Sequence, residues 1–214
     1  MKSLLILLLV PLCLTPYRSQ KNQYDLVPNL LDVTYQINSQ WTPDQILKAN
    51  TGKDIIGLSD VEKESILYLN LARLYPSDFA KIEMPNYFGT EKYGDYLKNS
   101  EYRESLIKEL KDLKPRNALR FNAALYDNAK CFSKELGESG EESHQRKNCK
   151  EEDYAECLSY GMETGKDIAM QWLIDDSVPS IGHRKICLDN SYTNIAVSVH
   201  SHKKWGTCAV AELN

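Results

Sequence analysis

Helices come first in this chain and paired strands come last, and that order limits the fold more than any other feature. Ile195, Val197 and Val199 alternate, His200-Ser201-His202-Lys203-Lys204 is predicted to turn, and Trp205, Thr207, Ala209 and Ala211 share one face while Cys208 and Val210 share the other. A period of two is the pattern of an antiparallel hairpin. Upstream, the strong patterns are helical. Thr42-Pro43-Asp44 opens a short helix that Gly52 ends, and Ser59-Asp60-Val61-Glu62 is a capping box opening a helix to about Tyr75, before Pro76. Ser100 caps a helix whose stripe is Tyr102, Leu106, Leu110 and Leu113. Asn122 starts another, through about Glu138, burying Leu125, Ala129, Phe132 and Leu136, and a last one from about Thr164 to Ile174 turns Ile168, Met170 and Trp172 inward. The connections are too short for repeated βαβ units, so the fold class is α+β.

The chain has 214 residues, and the first nineteen are not expected to belong to the fold. Lys2, the apolar run Leu4 to Leu14 and the polar exit Tyr17-Arg18-Ser19 have the layout of a secretory signal peptide, and the run is shorter than the roughly 20 apolar residues a span needs. The expected location is outside the cytoplasm, secreted to the extracellular space or held in a periplasm. No other apolar run follows, so no transmembrane segment is expected in the mature chain. Without Lys2 and Arg18 the charge balance is 24 basic against 30 acidic residues, net −6, which does not suit a nucleic-acid backbone. Residues 20–57 read as an N-terminal extension, with Val33, Tyr35 and Ile37 spaced as in a short strand. Residues 58–214 form the main domain, and 85–117, rich in tyrosine, reads as an insertion within it.

Five cysteines remain after the leader: Cys131, Cys149, Cys157, Cys187 and Cys208. In an oxidising compartment they are disulfide candidates, and an odd number leaves one over. The pairings expected are Cys149 with Cys157, closing a short loop worth about 2–3 kcal/mol, and Cys187 with Cys208.

Chemistry is concentrated between His144 and Leu188. This stretch holds two histidines, Glu156 in Ala155-Glu156-Cys157-Leu158-Ser159-Tyr160-Gly161, and Asp175 and Asp176 shortly before Gly182-His183-Arg184. His200 and His202 fall in the predicted turn and read as solvated, and Lys147 to Asp153 reads as a charged surface run. There is no Gly-x-Ser-x-Gly elbow, no His-Glu-x-x-His helix, no zinc-finger spacing and no glycine-rich phosphate loop. Asn70 and Arg73 lie three apart on one helix face, where such residues are ordinarily caps or solvated.

Taken together, the capped helix with Asn70 and Arg73, the helix leading to a loop histidine, the Glu156 segment, the Trp172 helix, Gly182-His183-Arg184 running into Tyr192-Thr193-Asn194-Ile195-Ala196-Val197, and the closing hairpin resemble the CAP superfamily. This SCP-like family holds cysteine-rich secretory proteins, venom allergens, plant pathogenesis-related proteins and bacterial exported proteins, and the Trp172–Val199 portion is similar to the bacterial branch. The resemblance covers about residues 58–214. It implies an α-β-α sandwich whose groove carries two histidines and two acids: His144, Glu156 and His183, with Asp175 in the place of the second acid. Where members show Glu-Asn-Leu, this chain has Glu156-Cys157-Leu158. The resemblance implies binding of a small ligand, a lipid or a protein partner more than turnover. Two imidazoles with a carboxylate also suit Zn2+ or another divalent metal, with His144 and His183 as ligands. The alternatives are a metal-dependent hydrolase of protease or esterase type with Glu156 as general base, and a protein–protein interaction module working through the aromatic insertion.

Overall fold

Capping signals open the helices where the sequence places them. In the computed structural model, which describes residues 37–214, Thr42 and Ser59 each form a complete capping box, and they begin α1 (Pro43–Ala49) and α2 (Asp60–Leu74). The leader and the part of the extension holding Val33 and Tyr35 lie outside the described residues. Pro76 ends α2 and also starts α3 (Pro76–Ile82), because its fixed φ suits a first helical position. A 3-10 turn at Met84–Asn86 follows, then α4 (Glu101–Asp112) behind the Ser100 cap, and β1 (Arg120–Phe121). Next come α5 (Ala123–Ser139), β2 (Ala155–Tyr160), α6 (Gly165–Ile174), α7 (Gly182–Leu188), β3 (Asn194–His202) and β4 (Gly206–Leu213).

The sheet runs β1-β3-β4-β2, with β1 parallel to β3 and the other pairs antiparallel. Alternation along the strands then sorts the core into two layers. Leu158, Cys208 and Val210 face α5 and its Ala129, Phe132 and Leu136. Cys157, Ile195, Val197, Ala209, Ala211 and Leu213 join the larger core on the other face, with residues of α2, α6 and α7. The result is the α-β-α sandwich of α+β class expected. The apolar stripes of α5 and α6 are buried as read, Phe132 and Trp172 with no exposure; on α4 Leu106 and Leu110 are buried, while Tyr102 and the C-cap Leu113 are half-buried. α2 and α6 approach so closely that a Cβ on Gly165 would lie 2.4 Å from the Val61 carbonyl oxygen. Among the described residues no helix is long and apolar enough to cross a membrane.

Asn70 and Arg73 are wholly buried, neither caps nor solvated side chains. Asn70 donates from Nδ2 to the carbonyls of Ala49 (2.9 Å) and Leu119 (3.0 Å), and its Oδ1 accepts from the Leu119 amide (2.7 Å). Arg73 donates to the carbonyls of Asn117 (2.9 Å), Cys187 (2.7 Å), Asp189 (2.8 Å) and Tyr192 (3.1 Å). It thereby gathers the end of α7, the link into β3 and the link into β1 around one guanidinium.

The expected disulfides are not the ones formed. Cys131 on α5 bonds Cys149 in the following loop, with Cα atoms 5.8 Å apart. Cys149–Cys157 and Cys187–Cys208 fail for one reason, the two-sidedness of the sheet. Cys157 and Cys187 are in the layer facing α2, α6 and α7, whereas Cys208 faces α5, the helix that Cys149 is bonded to. The hairpin turn is also shorter than read. β3 runs through His200 to His202, and His202 is 3% exposed, its Nδ1 accepting from the amides of Lys204 and Trp205 and its Nε2 3.1 Å from the Glu141 carbonyl oxygen.

Replacing Arg73 with methionine keeps the volume but leaves four carbonyls without their donor. We expect a loss on the order of 3 kcal/mol of unfolding free energy, with partial recovery in Arg73→Lys, read by urea denaturation.

Candidate functional site

The loop between α6 and α7 is where the backbone departs from ordinary conformations. Among the described residues, the non-glycine residues with positive φ are Asp175 (55°), Ser177 (61°) and Ile181 (45°), all in this loop. Left-handed backbone at non-glycine residues is costly and collects at functional sites. Here it turns Asp175, the C-cap of α6, under the start of α7. Asp175 Oδ2 accepts from the His183 amide (2.9 Å), and Oδ1 lies 2.7 Å from His183 Nδ1. A carboxylate only accepts, so Nδ1 carries the proton and Nε2 is left for a ligand. The Asp175 side chain is 1% exposed and that of His183 25%, which makes the imidazole the accessible half of the pair.

Arg184 locks this geometry. Its guanidinium, also buried, donates to the carbonyls of Leu173 and Ile174 (each 2.7 Å) at the end of α6, to that of Tyr102 (2.8 Å) and to Ser105 Oγ (2.9 Å) on α4. The predicted insertion is thereby fastened to the helix that carries His183.

His183 and Asp175 line a cavity of about 270 Å³ whose apolar walls include Leu97, Leu158, Met170 and Ile174, with Asp176 at its edge. A second, more open concavity of about 550 Å³ adjoins it, lined by Tyr93, Met162 and Trp205, and the two share Tyr96, Tyr160 and Gln171. Together they make one groove, with an acid–imidazole pair in one part and an aromatic rim in the other. Tyr93 reaches this rim because position 161 is glycine, with φ of 78°. A Cβ there would lie 2.4 Å from the Tyr93 hydroxyl.

The other expected pair forms separately. His144 Nδ1 is 2.7 Å from Glu156 Oε1, with the histidine largely exposed. Glu156 Oε2 is taken by Arg146, which also bonds Glu212 at 2.7 Å and stacks over Phe132. Neither His144 nor Glu156 lines the cavity of His183. The four expected groove residues therefore resolve into two dyads. Among the described residues, no three His, Cys, Asp or Glu side chains converge so as to hold a metal ion.

A family model for CAP, the cysteine-rich secretory protein family, matches residues 98–212. The chain belongs to the CAP family. No curated protein matches the sequence. The matched stretch takes in both dyads, the helices from α4 onward, β1 to β3 and all of β4 but Leu213.

The feature of this CAP domain that sequence reasoning missed is the Arg146–Glu212 contact. Glu156 and Glu212 stand directly opposite each other on β2 and β4. Two carboxylates in that register repel unless a cation is set between them. Arg146 is that cation, although it sits at the head of a run that reads as solvated surface. The structure thus gives both oxygens of Glu156 partners, His144 on one and Arg146 on the other. Burial pushes the Glu212 carboxyl up to about 7, with Arg146 opposing the shift and Glu156 and Glu152 adding to it.

The sign of the pH effect follows. Glu212 in the folded protein holds its proton to higher pH than in the unfolded chain, so its contribution favours folding at acid pH and is lost as pH rises from about 4.5 to about 7. We expect the melting temperature to carry a component that falls over this window and that Glu212→Gln removes. Thermal melts between pH 4.5 and 8 on both proteins check it.

Proposed function

We propose that this CAP domain is an exported binding module whose groove takes a small amphipathic ligand of lipid type. The observation that carries this reading is the continuity of the groove. The polar end presents the His183 imidazole, held by buried Asp175, and the rest is lined mainly by aliphatic and aromatic side chains, with Gln171, Asp176 and Glu142 among them. A mostly apolar concavity with a few fixed polar groups is the common form of a small-molecule site. Several of the large apolar side chains left exposed on the described surface, Tyr93, Tyr96 and Trp205, lie on its rim. Binding is favoured over hydrolysis because the walls of the groove are mostly apolar and the cavity around His183 is lined by no serine, threonine or cysteine. The interaction-module reading loses its separate surface, since the insertion's Tyr93 and Tyr96 serve the groove. Export is supported by the leader-like start of the sequence and by the Cys131–Cys149 bridge.

Trp205 is a built-in reporter. It is 37% exposed, against 4% for Trp41 and none for Trp172, so acrylamide quenching of the intrinsic fluorescence reads the rim almost alone. Titration of delipidated protein with a long-chain fatty acid and, separately, a sterol should give saturable protection of Trp205 with at least one of them. Val178→Trp, which places an indole in the cavity, should weaken that binding about tenfold or more, equivalent to ~1.4 kcal/mol. No saturable protection by either probe, with no small molecule co-purifying by mass spectrometry, would count against the reading.

A further inference from the structure

Two buried thiols meet behind the groove. Cys157 follows Glu156 on β2 and, by strand alternation, faces the opposite layer, where α7 packs. Its Sγ lies 3.9 Å from the carbonyl oxygen of His183. That carbonyl belongs to the first turn of α7, and Cys187 stands four residues on, one turn along the same helix and on the same side. Both cysteines are wholly buried in the same layer of the core, and after burial itself Cys187 is the neighbour that raises the Cys157 thiol. None of the chemistry above uses them.

We propose that Cys157 and Cys187 are oxidised to a second disulfide, which ties the strand bearing Glu156 to the helix bearing His183. The reaction is exchange with a low-molecular-weight or protein disulfide. The two thiols lose their protons, one new S–S bond forms between Cys157 and Cys187, and the donor disulfide is reduced to two thiols. It takes place during folding, before α7 seats on β2, because both sulfurs are inaccessible afterwards. Burial and the neighbouring Cys187 push the Cys157 thiol well up, so little thiolate forms to attack a disulfide once the core has closed.

This pairing also accounts for the odd cysteine. With Cys131 bonded to Cys149 and Cys157 to Cys187, the one left is Cys208, buried on the α5 side of the sheet with its Sγ 3.3 Å from the Ser133 carbonyl oxygen. The sheet separates it from the other pair, so it has no access to them.

The test is a disulfide map of the full mature chain refolded with reduced and oxidised glutathione. The sample is quenched in acid, alkylated in denaturant and digested without reduction. The proposal expects a cross-linked peptide joining Cys157 to Cys187, with Cys208 as the alkylated cysteine. A phosphine reductant applied to the folded protein should open Cys131–Cys149 first, since Cys131 is exposed, and leave Cys157–Cys187 intact until the protein unfolds. Alkylation of both Cys157 and Cys187, with or without the Cys131–Cys149 bridge, overturns the proposal, as does a bridge from either to Cys208. Cys157→Ala and Cys187→Ala each convert the remaining partner into a second alkylated position if the pairing is right, and leave the count of alkylated thiols one lower than wild type if all three thiols are free.

Discussion

A buried guanidinium without a carboxylate holds the helical layer to the sheet. Arg73 enters the core from α2 and spends its donors on four backbone carbonyls, two of them at the end of α7. Burial lowers the proton affinity of this group, the expected direction for a cation removed from water. Carbonyl dipoles offset that cost without the entropy of pinning a long acidic side chain opposite. The choice has a structural consequence. The last carbonyls of a helix have no partner within it, and α7 is short, so an outside donor at its end helps decide whether it forms at all. Asp175 supplies the matching service at its start. The helix that carries His183 is therefore held at both ends by side chains from other elements.

That arrangement explains why the dyads differ. His183 and Asp175 sit in a scaffold that Arg73, Arg184 and the strained α6–α7 loop hold in place, with the acid buried and the imidazole accessible. His144 hangs from a loop, largely exposed, and its acid is shared with Arg146. That carboxylate stands opposite Glu212 and is bonded to Arg146. It joins the edge strand β2 to the loop that the Cys131–Cys149 bridge closes, and His144 is an added contact on its outer side.

Much of the fold was legible because its signals are local. Capping boxes at Thr42 and Ser59, the Ser100 and Asn122 caps and the apolar stripes on α4, α5 and α6 act over one or two helical turns, and a linear reading sees them whole. The misses are features set by distant partners. α7 has no side-chain cap of its own at Ile181 and depends on Asp175, eight positions before His183. α3 was hidden because Pro76 reads as a stop for the helix before it, and its second role as a helix start shows only once the chain bends. The burial of Asn70, Arg73 and His202, and the Arg146–Glu212 contact, depend on what lies across the sheet or at the ends of other helices. At the candidate site, the residue types were legible and so was each acid's chemical kinship with a histidine. Which acid serves which histidine was not, because it depends on the face Glu156 takes on β2 and on the left-handed turn that carries Asp175 from α6 to the start of α7.

The same alternation governs the cysteines and, through them, the site. Along β2, Glu156 turns toward Arg146 and α5, Cys157 toward α7, and Leu158 back to the α5 side, where it also reaches the groove. One strand thus serves three structures in consecutive residues: the Arg146 clasp, the thiol pair and the cavity wall. In the family pattern an asparagine follows the glutamate, and a polar amide there would have to find hydrogen bonds in the space that Cys157 fills against the His183 carbonyl. Cysteine instead puts a small, weakly polar side chain into the layer beneath His183, and a second cysteine one helical turn beyond that histidine faces it. The substitution that departs from the family pattern and the partner that makes sense of it lie on opposite sides of one contact, between the edge strand and the helix on which the groove depends.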